Sequence, residues 1–293
     1  MNHQVSCCES QNCAVEARGL CKTYPNGTRA LKNVNLRICG SEFIVILGPS
    51  GAGKSTLLRC MNRLVEPTGG SIHFLNEDIT HVSGRNIRKI RARVGMIFQQ
   101  FNLVRRLSVL ENVLAGRLAH CHGLLWKGLS LFKIFPRSER EIALECLRKV
   151  HIEELAFQRA DTLSGGQQQR VAIARTLAQE PELILADEPV ASLDPASAEI
   201  VMQTLQDIHE AQKIPVIVNL HQIELGRRYG KRIIGMKAGE ICFDGSAIDL
   251  DNQTLRCIYG KELDSGLGRI KRPPVAPFLQ HHPVPGVALA TVE

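Results

Sequence analysis

Apolar and polar positions follow two rhythms along this chain. Phe43-Ile44-Val45-Ile46-Leu47 is an unbroken apolar run of strand length, and Leu183-Ile184-Leu185-Ala186 and Val216-Ile217-Val218 repeat the pattern. Short apolar runs without polar alternation fit strands buried on both faces, as in a parallel sheet. The second rhythm is helical. Ile200, Val201, Leu205 and Ile208 mark one face of a helix. Lys54 to Leu64 reads as another helix, and a helix-like run extends from Gln167 to Ala178. Strands and helices that alternate in this way predict an α/β core.

The middle of the chain breaks the alternation. From Leu107 to Leu177 strand signals are scarce, and helical spacing dominates, as in Ile142, Cys146, Leu147 and Val150. This predicts a helical subdomain, approximately residues 100–180, inserted into the core. Within it Gly123 to Phe135 (GLLWKGLSLFKIF) is unusually apolar and holds the only Trp. It reads first as a loop and helix packed on the subdomain, and second as a patch facing a membrane-embedded partner or lipid. The flanks differ again. Residues 1–13 form a polar head containing Cys7, Cys8 and Cys13, and residues 14–262 form the main domain. Residues 263–293 hold five of the 13 prolines and read as a flexible tail, not a ligand-binding domain.

Composition narrows the partners. The 293 residues are 44% hydrophobic, enough for one large domain with a subdomain. Aromatics at 4% argue against stacking platforms for single strands. The net charge of +7 permits a nucleic acid or an anionic membrane face and selects neither. Part of it lies in Arg85–Arg93 (RNIRKIRAR), which reads as a solvated helix face; no groove-reading motif accompanies it, so no nucleic-acid partner is expected. Ten cysteines include no CxxC pair and are expected to be reduced thiols. No signal peptide is evident, and no apolar run reaches the about 20 residues that cross a bilayer. A membrane role is therefore expected to come through a partner.

Two stretches carry anion-binding chemistry. Gly48-Pro49-Ser50-Gly51-Ala52-Gly53-Lys54-Ser55, followed by Thr56, lies between a strand-like run and a helix, the context of a phosphate-binding loop. Its glycines let N–H groups wrap phosphates, Lys54 would reach the β- and γ-phosphates, and the Ser55 hydroxyl would bind Mg2+. The second stretch, Leu163-Ser164-Gly165-Gly166-Gln167, again sets a hydroxyl and two glycines before a helix. A chain with two such sites and room for one nucleotide fold points to ATP held between two chains. Asp187 and Glu188 follow the Leu183–Ala186 run, where carboxylates face the ligand crevice of a parallel sheet. Asp187 is placed to hold Mg2+ through water, and Glu188 to act as general base.

These motifs, in this order, resemble those of ABC-transporter ATPase subunits from about residue 15 to 250. The resemblance implies a P-loop NTPase core with an inserted helical subdomain and a short antiparallel β region. It makes Gln99, after Met96-Ile97-Phe98, the residue that senses Mg2+ and the γ-phosphate. By the same likeness Asp194 of Ser192-Leu193-Asp194 lies at the dimer interface. His221 contacts the γ-phosphate and Tyr24 stacks on adenine. Ser164, Gly165, Gly166 and Gln167 become the half-site that closes on the nucleotide of a second copy. Gly95–Val104, Leu163–Arg170, Ala186–Pro195, Val218–Gln222 and the Trp-containing insert ending in Phe135-Pro136 are similar to phosphonate import ATP-binding proteins. That similarity implies a homodimer with two transmembrane permease subunits at the cytoplasmic face of the inner membrane, and a periplasmic substrate-binding protein as indirect partner. Phosphate, phosphite or an amino acid are the other cargoes. A DNA-repair or chromosome ATPase would need long coiled coils, and a ribosome-associated one two cassettes; neither is present.

Overall fold

The computed structural model describes residues 13–120 and 135–260. Six strands form the central sheet: β3 (Phe43–Leu47), β6 (Val94–Ile97), β7 (Leu183–Asp187), β8 (Val216–Leu220), β9 (Arg232–Lys237) and β10 (Glu240–Ser246), in the order β10-β9-β3-β8-β7-β6. All neighbours are parallel except β10, which returns antiparallel beside β9. A second sheet, antiparallel throughout, is built from β1 (Cys13–Thr23), β2 (Arg29–Cys39), β4 (Gly69–Phe74) and β5 (Glu77–Asp78), in the order β2-β1-β4-β5.

The apolar strand runs are explained by their two faces. In β3, Ile44 and Ile46 join a core shared with the antiparallel sheet, α1 (Lys54–Met61) and α2 (Gly84–Arg93). Phe43, Val45 and Leu47 point the other way, into a second core lined by helices. The same two-residue alternation assigns Leu183 and Leu185 to one core and Ile184 and Ala186 to the other. Both faces are dry, so no polar position interrupts the run.

The helices over the second face are α3 (Val109–Leu114), α4 (Arg137–Lys149), α5 (Gly165–Leu177), α6 (Pro195–Gln212), α7 (Ile223–Tyr229) and α8 (Asn252–Tyr259). Among the described residues between Ile97 and Leu183 there is no strand, only α3, α4, α5 and 3-10 turns. Ser108 caps α3 and pairs as an isolated bridge with Arg159. Among the described residues no helix is long and apolar enough to cross a membrane.

Three local expectations change. The first helix stops at Met61, short of Leu64, because Arg63 takes a φ of +54° and its buried guanidinium donates to the Ile79 carbonyl at 2.8 Å. The later helix begins at Gly165, earlier than Gln167, because Ser164 supplies the cap. Cys13 belongs to β1, not to a head: it pairs in register with Cys39 and is buried. Within Arg85–Arg93 only Ile90 is buried, as a solvated helix face requires. Of Gly123–Phe135 only Phe135 is described, and it packs against the helical core. Cys7, Cys8, Cys121 and the 263–293 tail lie outside the described residues.

Candidate functional site

Two positions of the loop between β3 and α1 have no room for a side chain. A Cβ on Gly48 would lie 2.2 Å from the Met236 carbonyl oxygen, and one on Gly53 would lie 2.4 Å from that of Ala30. Gly51 and Gly53 also take φ values of +76° and +101°. The backbone thereby curls at the start of α1, a helix N-terminus suited to an anion, with Ala52 N donating to Pro49 O at 3.2 Å within the loop. The result is a cleft of about 340 Å³ lined by Tyr24, Thr28, Arg29, Ala30, Ser50–Thr56, Glu188 and His221.

Lys54 is buried and its Nζ donates to the carbonyls of Gly48 (2.7 Å) and Pro49 (3.1 Å). Burial holds its pKa below the usual lysine value, while Glu188 and Asp187 pull it back up. Asp187, also buried, accepts from Ser55 Oγ at 2.6 Å and Asn219 Nδ2 at 3.0 Å on one oxygen, and from Arg59 Nη2 at 3.2 Å on the other. The Asn219 Oδ1 beside it has no protein partner. A hydroxyl and a carboxylate in contact at the foot of a phosphate cradle are the hard oxygen donors that suit Mg2+. The residues present fit both a nucleotide and that ion.

Glu188 has a φ of +53°, rare for a side chain of its kind, and its Oε1 lies 2.6 Å from His221 Nε2. Tyr24 Oη lies 3.3 Å from Thr56 Oγ1, and the Lys22 ammonium stands 5.3 Å above its ring centroid. Expected residues Tyr24, Ser50–Thr56, Glu188 and His221 therefore share one cleft, with Gly48 and Pro49 bonded to Lys54 beside it. Asp187 lies behind Ser55.

Gln99, Ser164–Gln167 and Asp194 do not line this cleft. Ser164–Gln167 and Asp194 gather around the N-termini of α5 and α6. Ser164 and Gln167 satisfy each other in a capping box: Gln167 N donates to Ser164 Oγ at 3.3 Å, and Ser164 N to Gln167 Oε1 at 2.9 Å. A Cβ on Gly166 would meet Ser197 Oγ at 2.8 Å, so α5 abuts the start of α6. Asp194 caps α6 by accepting from Ser197 N at 2.9 Å, and hydrogen bonds from Ser197 hold its carboxyl below the usual range. Gln99 is exposed on the loop after β6. Arg175 of α5 binds that loop, donating to Phe101 O (2.9 Å) and Asn102 O (2.6 Å).

Several participants escaped sequence reasoning. Thr28, Arg29 and Ala30 reach the cleft through the start of β2. Asn219 and Arg59 fix Asp187. A polar residue inside the apolar run Val216–Leu220 was the readable signal for Asn219. Arg59, four residues after Ser55 on α1, shares its face of the helix.

Fold and cleft together define a P-loop nucleotide-binding protein with a helical insert. Residues 31–191 match the family described as ABC transporter. The chain belongs to the ABC transporter family of ATP-binding proteins. It is 52% identical over 249 residues to the phosphonates import ATP-binding protein PhnC 3 of Halalkalibacterium halodurans, covering 85% of this chain and 95% of that one. Identity to the PhnC protein of Thiobacillus denitrificans is also 52%, over 85% of this chain and 93% of the relative. Among solved structures it resembles the ATP-binding cassette MJ0796, determined as a dimer in a post-hydrolysis state bound to ADP and Pi. That match has a TM-score of 0.70 and 40% identity, over 80% of this chain and 98% of the other. It also resembles cbiO1 of Clostridium perfringens, part of the transporter complex cbiONQ, with a TM-score of 0.71 and 29% identity, over 88% and 96% of the two chains.

Proposed function

We propose that this chain is the ATP-hydrolysing subunit of a membrane importer for phosphonates, working as a head-to-tail homodimer. The observation that supports it best is the division of the site. One cleft holds a phosphate cradle with an acid–base pair. A second helix N-terminus, at Ser164, is exposed and faces none of this cleft. Each cradle is then completed by Ser164–Gln167 and Asp194 of a second copy. The relatives carry the phosphonate cargo in their names, and the motif stretches similar to them span both halves of the site.

The family resemblance, with the cleft geometry beside it, supports the following residue roles. Lys54, held by two loop carbonyls, exchanges them for the β- and γ-phosphate oxygens. The backbone N–H groups of Ser50–Ser55 orient the phosphates, and Tyr24 packs on the adenine. Glu188 takes the proton of the attacking water, and His221, now bonded to Glu188, turns to the γ-phosphate. Ser55, Asp187 and Gln99 would hold Mg2+. When bound, that ion would supply positive charge to the phosphate oxygens. Closing the dimer depends on contacts that only the γ-phosphate offers, so its loss reopens the pair.

The helical region passes the motion to two permease subunits at the cytoplasmic face of the inner membrane, with a periplasmic substrate-binding protein as the indirect partner. The segment after Gln99 is joined to residues 156–161 by Ala160 N to Leu107 O (3.0 Å) and Asp161 N to Arg105 O (3.2 Å). Together they present Phe157, 82% exposed, and Val104, 53% exposed, as an apolar docking face. The cargo is tested by growth of a deletion strain on an alkylphosphonate as sole phosphorus source. Loss of growth there, with normal growth on phosphate, is expected. Unimpaired growth on alkylphosphonates would reassign the cargo.

A further inference from the structure

Two cysteines lie on adjoining elements at the antiparallel edge of the large sheet, each tied to β9. Cys242 lies on β10 and Cys257 on α8; both are free and exposed. The backbone of Gly235 on β9 brings them together. Cys242 Sγ lies 3.4 Å from the Gly235 carbonyl oxygen. A Cβ on the same glycine would stand 2.6 Å from Ile258 Cδ1, so the residue after Cys257 presses directly on that point of the strand. Lys237 Nζ, two residues along β9, donates to the Cys257 carbonyl at 2.8 Å. Cys257 is also among the groups that act on the Cys242 thiol. Partial enclosure of the sulfur, in a residue exposed overall, and next the charge of Cys257 push the Cys242 thiol up to about 11.

We propose that Cys242 and Cys257 form a modification site, a dithiol that a peroxide oxidises to an intramolecular disulfide. Because Cys242 is held as a thiol, Cys257 makes the first attack. Its thiolate sulfur bonds to one peroxide oxygen and the O–O bond breaks. The leaving hydroxide takes up a proton as water, and Cys257 becomes a sulfenic acid. Cys242 sulfur then attacks that sulfur, the S–O bond breaks, and the departing oxygen leaves with the Cys242 proton as a second water. Two thiols lose two electrons and one peroxide gains them.

The new bond would tie α8 to the β9–β10 hairpin. That hairpin supports the phosphate loop: Gly239 N donates to Ala52 O at 3.0 Å, and Gly239 O accepts from Lys32 N at 2.9 Å. The latch therefore closes behind the nucleotide cleft without using any residue that lines it. Cys13 and Cys39 also face each other in register, but both are buried, which withholds them from a dissolved oxidant.

The test uses the reduced full-length protein, treated with limiting hydrogen peroxide under native conditions, then alkylated and peptide-mapped. The expected product has lost two hydrogens and yields a peptide joined through Cys242 and Cys257. Its Tm rises by about 5 °C, since the bond closes a loop of about 15 residues in the unfolded chain. Dithiothreitol reverses both changes, and Cys257→Ser abolishes both while folding as the parent does. Separate alkylation of Cys242 and Cys257 after oxidation would overturn the assignment. So would their conversion to sulfinic acids without a cross-link, or linkage to Cys7, Cys8 or Cys13.

Discussion

Two helix N-termini in this chain look alike in sequence and differ in their surroundings. At α1, glycines curl the backbone against Met236 and Ala30, Lys54 is buried, and the chain supplies its own carboxylates and histidine. At α5, Ser164 is exposed and its polar partner is its own Gln167. The first is a site sunk into the molecule; the second is a finished helix cap on the outside. An exposed, self-satisfied cap flanked by two glycines is poorly suited to hold a phosphate alone. It is well suited to cover one held elsewhere, because the Ser164 hydroxyl accepts from Gln167 N and retains its own proton to donate. On the proposed function, the difference separates catalytic groups of one chain from groups that would complete the site of another.

The comparison breaks most visibly at Glu188. If the α1 side holds all the proton-transfer chemistry, Glu188→Gln should lower ATP turnover about 10³-fold, within the range for a lost general base. The amide keeps the shape and a hydrogen-bonding oxygen, so ATP affinity should stay within a few-fold of the parent. Steady-state phosphate release and equilibrium nucleotide binding on the same preparation check both halves. Turnover near the parent value would remove Glu188 from the role.

Ser164→Arg attacks the other side. A long cation at the α5 cap fills the space a second chain's nucleotide would occupy and disrupts the capping box, at a cost of about 1 kcal/mol in helix stability. Turnover should fall about 10²-fold, because positioning contacts from the partner are lost while Lys54, Glu188 and His221 remain. Nucleotide binding by the single chain should be unaffected. Light scattering with ATP added to Glu188→Gln, with and without Ser164→Arg, reads the dimer directly. ATP-driven dimers in the double variant would mean that α5 does not close the site.

The two N-termini were unequally legible in the sequence. Strand, glycine loop and helix at residues 43–61 are contiguous, so local spacing and apolar pattern suffice to find them. The Glu188–His221 contact joins residues 33 apart, and nothing in either neighbourhood specifies it. Arg59 and Asn219 reach Asp187 only once β7 and β8 are paired and α1 lies over them. The loop that follows Gln99 is held to the last turn of α5 through Arg175, which binds two loop carbonyls 73 and 74 residues away. β1 was hidden for a different reason: its pairing with β2 slips at Ala17/Leu20, Leu20/Lys22 and Lys22/Thr23, which erases two-residue alternation. Cys13 looked like part of a polar head because its burial depends on pairing with Cys39, far along the chain on β2.

Whether the two regions also unfold as one body is open to a smaller measurement. Cys60 sits on α1 behind the phosphate loop, and Cys146 on α4 against the helical core; burial pushes each thiol up to about 11 from an ordinary 9.0. Between those values the unfolded chain has lost the proton and the folded chain still holds it. The folded state therefore binds more protons, and stability must fall as pH rises from about 9 to about 11. Each thiol contributes a slope of about 1.4 kcal/mol per pH unit, or roughly 2–3 kcal/mol in all. Cys60→Ala and Cys146→Ala each lower stability overall, but each also removes one proton's share of that slope. Urea midpoints between pH 8.5 and 11 read it, with other titrating groups cancelling between parent and variant. Equal flattening by both variants means that the phosphate cradle and the helical region unfold together. If only Cys60→Ala flattens the main transition, the region carrying Ser164 opens first, and it can move as a unit while the cradle stays folded.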